Sequence, residues 1–139
     1  MNKCMRGKYF LPVLFLIAIS CKKDAENFSA EIQGTWELAS SDGAWVGHHE
    51  YPLGNGNTYT FIGNEYTQTS KSADTTYTYS GTFYIYSGKP CDFAKEQTLI
   101  VLGTMNPMAE SLSLSNGKLT IGTTECIADG GSSTYRKIQ

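Results

Sequence analysis

Residues 75–86 read TTYTYSGTFYIY. Tyr77, Tyr79, Gly81, Phe83 and Ile85 fall on one side of this run, and Thr76, Thr78, Ser80 and Thr82 fall on the other. A period of two belongs to a β-strand, whose successive side chains point to opposite faces. The run is long for a small domain and has Gly81 at its centre, where a strand bends without a side chain in the way. A long strand with a central bend is what a barrel wall requires.

The same period extends in both directions. Residues 57–62 and 65–71 form an expected hairpin turning at Gly63-Asn64, with Tyr59 and Phe61 on one face. Residues 32–40 alternate Ile32, Gly34, Trp36 and Leu38 against Gln33, Thr35 and Glu37, the pattern of a half-buried strand. Downstream, residues 98–103 are a continuous apolar run and are read as a central strand. Residues 110–114 and 118–121 flank Ser115-Asn116-Gly117, a strong hairpin signal, and 134–138 form the closing strand. About eight strands in mostly adjacent antiparallel order leave exposed edges unless the sheet curls shut. The expected fold is therefore all-β: a single small antiparallel up-and-down β-barrel.

A barrel of this size has room for packed side chains or for one small ligand. Tyr59, Phe61, Tyr77, Tyr79 and Phe83 fall on the inner face by phase, either as the lining of a site for a small amphipathic molecule or as the core itself. Residues 42–57 break the alternation with Gly43, Gly47, Pro52, Gly54 and Gly56 and read as a long irregular loop, a common place for function.

The N-terminal end has a different character. Lys3, Arg6 and Lys8 precede an apolar stretch over residues 9–19 that is too short to cross a bilayer and contains Pro12, the form of a secretory signal. It ends at Ala18-Ile19-Ser20-Cys21, which resembles the bacterial lipobox, with Ala18 where leucine is usual. That resemblance implies cleavage before Cys21 and acylation of its thiol. The expected organisation is a signal peptide over 1–20, a lipidated tether over 21–30 carrying at most one helical turn, and a barrel domain over 31–139. The mixed charges of Lys22, Lys23, Asp24 and Glu26 resemble the surface-export signal of lipoproteins in Bacteroidetes-type bacteria, which implies an outer-membrane location, facing the periplasm or the surface.

Loss of Lys3, Arg6 and Lys8 with the signal moves the formal net charge from −2 to −5. No basic stripe remains for a phosphate backbone, and nucleic acid is not an expected partner. Of the four cysteines, Cys4 leaves with the signal and Cys21 is assigned to lipid, so Cys91 and Cys126 are read as one disulfide in an oxidising compartment.

Candidate chemistry is sparse. Gly47-His48-His49-Glu50, with Asp42 nearby, is the one patch that invites a metal or enzyme reading. Adjacent strand residues point apart, however, and no metal-ligand spacing occurs. No nucleophile elbow, P-loop or dinucleotide fingerprint is present. No catalytic activity, metal or cofactor is expected.

Gly34-Thr35-Trp36 on the first strand resembles the G-x-W signature of the lipocalin superfamily, and Arg136 stands on the last strand where many lipocalins place an arginine. With the lipobox and the ending Tyr135-Arg136-Lys137-Ile138, the chain resembles the lipocalin-like lipoproteins of Bacteroidetes-type bacteria. The resemblance implies that the first and last strands meet, that the Arg136 guanidinium lies over the Trp36 indole, and that Gly34 admits a close backbone neighbour. It also implies a lipid-anchored binder of a small apolar or amphipathic molecule. The alternative is a surface accessory or protein-interaction module with a filled barrel, acting through residues 42–57.

Overall fold

A computed structural model of the chain describes residues 25–103 and 108–139. The signal peptide read over 1–20 and the anchor read at Cys21 lie outside the described residues. Helix α1 (Ala25–Glu31) leads into strands β1 (Gly34–Gly43), β2 (Gly47–Glu50), β3 (Thr58–Ile62), β4 (Glu65–Ser72), β5 (Thr75–Gly88), β6 (Gln97–Leu102), β7 (Ala109–Ser115), β8 (Lys118–Gly122) and β9 (Gly131–Lys137). All pairings are antiparallel, and β1 pairs with β9 to close an eight-stranded barrel, with β2 as an extra strand.

Local sequence explains the turns. Asn116 and Gly117 both take positive φ, 52° and 70°, the geometry of the tight hairpin turn that asparagine-glycine favours, and Ser115 pairs directly with Lys118. The extra strand changes the reading of residues 42–57. The upper half of β1 pairs with β2 through Ser40↔Glu50 and Gly43↔Gly47, while its lower half pairs with β3 through Gly34↔Phe61 and Glu37↔Thr58. One edge of β1 is thus covered by two strands in succession, and only residues 51–57 between them are loop.

The helix is longer than the single turn expected within the tether, and it belongs to the folded unit. Phe28 and Ile32 are buried and join Trp36, Phe61, Phe83, Ile100, Leu112, Leu119, Ile121 and Tyr135 in one hydrophobic cluster. The Gln33 side chain ties the end of α1 to the β3–β4 turn, accepting from Gly63 N at 2.8 Å and donating to Gly63 O at 3.1 Å. The apolar phase of the first strand therefore begins inside a plug that stops one end of the barrel.

The apolar run in β6 is buried on both faces. Ile100 points inward, whereas Leu99 and Val101 share the outer face with Tyr86 and Tyr84 of β5 and are nonetheless almost fully covered. Ala94, in the loop before β6, and Thr124, in the loop after β8, are buried as well. The two loops are joined by the Cys91–Cys126 disulfide, with Cα atoms 6.2 Å apart, and by a hydrogen bond from Lys95 N to Glu125 Oε1 at 2.7 Å. The disulfide is a staple between the loops that bury Ala94 and Thr124. It closes a separation of 35 residues, for which chain-entropy arguments give about 3 to 4 kcal/mol.

Replacing both Cys91 and Cys126 by serine is expected to lower unfolding stability by about 3 to 4 kcal/mol, read from urea denaturation, while the far-ultraviolet circular dichroism stays native. An unchanged midpoint would show that the loops hold without the bond.

Candidate functional site

Two of the five inner-face aromatics, Phe61 and Phe83, belong to the floor of the barrel, and Tyr59 stacks onto it. Tyr59, Phe61 and Phe83 are buried; Tyr59 stacks on Phe61 at 5.7 Å between ring centroids, and Phe61 meets Phe83 edge-on at 5.1 Å. Tyr77 and Tyr79 depart from expectation, being 53% and 58% exposed. Their phase is as read, since they pair with Ser70 and with the inward-facing Gln68. The physical reason for their exposure lies in the stagger of the strands: β6 pairs with β5 only over Phe83–Gly88, and Thr75–Thr82 pairs with β4 alone. This part of the hairpin projects past the core, and among the described residues no neighbouring strand encloses its inner face.

Above the floor lies a small hollow of about 90 Å³, lined by Leu38, Asn57, Tyr59, Gln68, Ser70 and Tyr135 among others. Its wall is partly aromatic: Tyr59 meets Tyr135 edge-on at 5.3 Å and lies 6.3 Å from Tyr66. Burial pushes the Tyr59 hydroxyl upward and the Tyr135 hydroxyl up to about 12, and the charge of Glu110 adds to both shifts. Glu110 is directly opposite the inward-facing Ile100 and in phase with Leu112 and Leu114, so its side chain belongs to the inner face of the barrel. Burial raises its carboxyl above the ordinary range. Sequence reading placed residue 110 in a strand without assigning it a role, although an acid in phase with two leucines was the available signal.

A roomier depression of about 580 Å³ lies outside the barrel, between the β1–β2 turn and residues 123–132. Its acids are already engaged: Asp42 accepts from His48, and Glu125 from the Lys95 amide. His48 is clamped between Asp42 (Nδ1–Oδ1 2.7 Å) and Glu50 (Nε2–Oε1 2.8 Å) on the exposed hairpin. Hydrogen bonds to these two carboxylates hold its pKa above the ordinary value, and neither ring nitrogen is left to bind a metal or take a proton from a substrate. His49 is on the other face, edge-on to Tyr51 at 4.6 Å. Among the described residues no group of three or more His, Cys, Asp or Glu side chains is arranged to hold a metal ion.

The signature residues are brought to one place, with a different pairing from the one expected. Arg136 lies across from Glu37, and it is Lys137 that lies across from Trp36, its Nζ 5.3 Å from the indole centroid. Directly opposed residues of an antiparallel pair share a face, so the register assigns the indole to lysine and the carboxylate to arginine. The Trp36 indole donates to Ile32 O at 2.7 Å. Gly34 has φ +110°, and a Cβ there would collide with the Gln139 carbonyl.

Glu37, read as part of a polar face, is 3% exposed. Residues 51–57 fold over it: Gly54 N and Gly56 N donate to its carboxylate at 3.1 and 3.4 Å, and Arg136 Nε donates at 3.1 Å. Arg136 Nη2 also donates to Tyr51 O at 3.0 Å and Pro52 O at 2.6 Å. Burial alone would push the Glu37 carboxyl up, but the amides and the guanidinium together hold it below the ordinary range. The segment expected as a functional loop is here a clamp on the barrel seam.

The chain has no significant match among protein-family models, characterised proteins or solved structures.

Arg136→Ala leaves the Glu37 carboxylate buried beside an unclamped loop and is expected to cost about 3 to 5 kcal/mol at neutral pH. A group whose folded pKa is lowered contributes stability above its unfolded value and loses it as pH falls through the folded value. The difference between variant and parent should therefore shrink below about pH 4, as read by thermal unfolding across pH. A difference independent of pH would remove Glu37 from this role.

Proposed function

We propose that the chain is an exported, lipid-anchored envelope protein whose lipocalin-like barrel binds a small amphipathic molecule at its open mouth. The observation carrying the binding reading is the hollow over the aromatic floor, walled by Tyr59 and Tyr135, with Tyr77 and Tyr79 on the projecting hairpin beyond it. Tyrosines combine an apolar ring with a polar tip, which suits a guest with one apolar and one polar end. The floor is filled by Trp36, Phe61 and Ile100. A guest would therefore rest at the rim, with only a head group or one ring reaching into about 90 Å³. No step of this reading requires catalysis, a metal or a cofactor.

The anchoring part rests on the sequence before residue 25: the basic start, the apolar run and the small residues before Cys21. Acylation at Cys21 would provide the membrane partner, in the outer membrane facing either the periplasm or the surface. A second reading, a protein-interaction module, draws on Trp45 and Val46, which are 85% and 82% exposed at the tip of the β1–β2 hairpin. Solvent-facing aromatic and aliphatic side chains at a projecting tip suit insertion into a partner's pocket.

Native mass spectrometry of protein purified from its own envelope is expected to show a reproducible small-molecule adduct that Tyr59→Ala weakens. A bare chain with a co-purifying protein would favour the hairpin tip instead. Separately, Cys21→Ala should abolish labelled fatty-acid incorporation and release the chain from membranes; an anchored variant would overturn the lipid assignment.

A further inference from the structure

We infer that the guest at the barrel mouth is a cation: an amphipathic molecule carrying a protonated amine or quaternary ammonium group, recognised by Glu110. This rests on the reading of the mouth as a binding site and adds the chemistry of its ligand. Glu110 is held on the inner face by register, across from Ile100 and in phase with the buried Leu112. It has no hydrogen-bond or ion-pair partner among the described residues, whereas Glu37, Asp42, Glu50 and Glu125 each engage one.

The Glu110 oxygens are also accessible. Among the described residues no fully buried side-chain nitrogen or oxygen lacks a hydrogen bond. Glu110 is itself only half-buried, and it stands at the start of β7, the end of the barrel that carries the β4–β5 turn, so solvent reaches it from the mouth. Its charge acts on Tyr59 and Tyr135, whose rings meet edge-on at 5.3 Å and also line the hollow.

A carboxylate on the same inner face as the Tyr59 and Tyr135 rings discriminates by charge in a definite direction. A cation gains an ion pair in a partly desolvated setting together with attraction to the negative ring faces. An anion meets like charge and the same ring faces, and a neutral guest gains neither interaction. The formal net charge of −5 after loss of the signal residues favours cations at longer range as well.

The test uses the folded chain and three probes with one tail, kept below their micellar concentrations: octyltrimethylammonium, octyl glucoside and octyl sulfate, measured by isothermal titration calorimetry. The cationic probe is expected to bind on the order of tenfold more tightly than the neutral one, and the sulfate most weakly. Glu110→Gln should erase the preference while leaving the neutral probe unchanged. Tyr79→Ser, at an exposed position, should weaken all three probes and retain the order. Equal affinities for cationic and neutral probes, or a preference that survives Glu110→Gln, would overturn the cation assignment and leave the mouth as a binding site. No binding by any probe would overturn the mouth reading itself, and the cation assignment with it.

Discussion

The seam between β1 and β9 is where the barrel either closes or stays an open sheet, and Glu37 and Arg136 hold it. Backbone pairing across a seam is satisfied only while the edges stay together, and an open edge is a template for other chains. Here the closing strands are cross-linked by a carboxylate that is 3% exposed and a guanidinium hydrogen bonded to it at 3.1 Å. A buried pair of this kind adds less stability than its geometry suggests, because both ions are desolvated, yet breaking one side of it is costly. Its importance lies in specificity: the pair fits one register, since a one-residue slip in one direction would set Lys137 against Glu37 and in the other would set Tyr135 against Glu37, and either parts the carboxylate from the guanidinium.

The same pair organises chain that is not part of the barrel. The Gly54 and Gly56 amides and the Tyr51 and Pro52 carbonyls converge on it, so residues 51–57 are fixed from outside. On another side the Cys91–Cys126 staple joins two loops, and the outer face of β6 is buried. With α1 plugging one end, the small barrel gains packing beyond its interior, as a domain of this size needs. The consequence for function is geometric: a floor filled by large side chains leaves the mouth and the projecting β4–β5 hairpin as the places where a guest can meet inward-facing groups.

Much of the wall was legible because a strand's phase is local. The run 75–86, the turn at Gly63-Asn64 and the Asn116-Gly117 hairpin declare themselves through alternation and backbone preference, and each appears in the structure as a strand or turn. The site was less legible. Phase assigned Tyr77 and Tyr79 to the inner face correctly, but whether an inner face is enclosed depends on how far the next strand reaches, and β6 stops at Leu102. Glu37 looked like a surface acid because the cover over it comes from residues 51–57, and Glu110 passed without a role because its significance depends on which groups lie across the barrel.

The sequence by itself determined the eight strands of the barrel wall though not the extra strand β2, the turns between most of them, the closed antiparallel class and the pairing of Cys91 with Cys126, since these follow from side-chain alternation, turn chemistry and cysteine arithmetic. Tertiary structure decided that Arg136 takes Glu37 and leaves Trp36 to Lys137, that residues 51–57 clamp the seam, and that an acid shares the inner face of the barrel with the core aromatics. The division has a physical cause. Alternation fixes the face on which each side chain lies within its own strand, whereas its opposite neighbour is set by the register of strands distant in sequence, and that register is a property of the closed barrel as a whole.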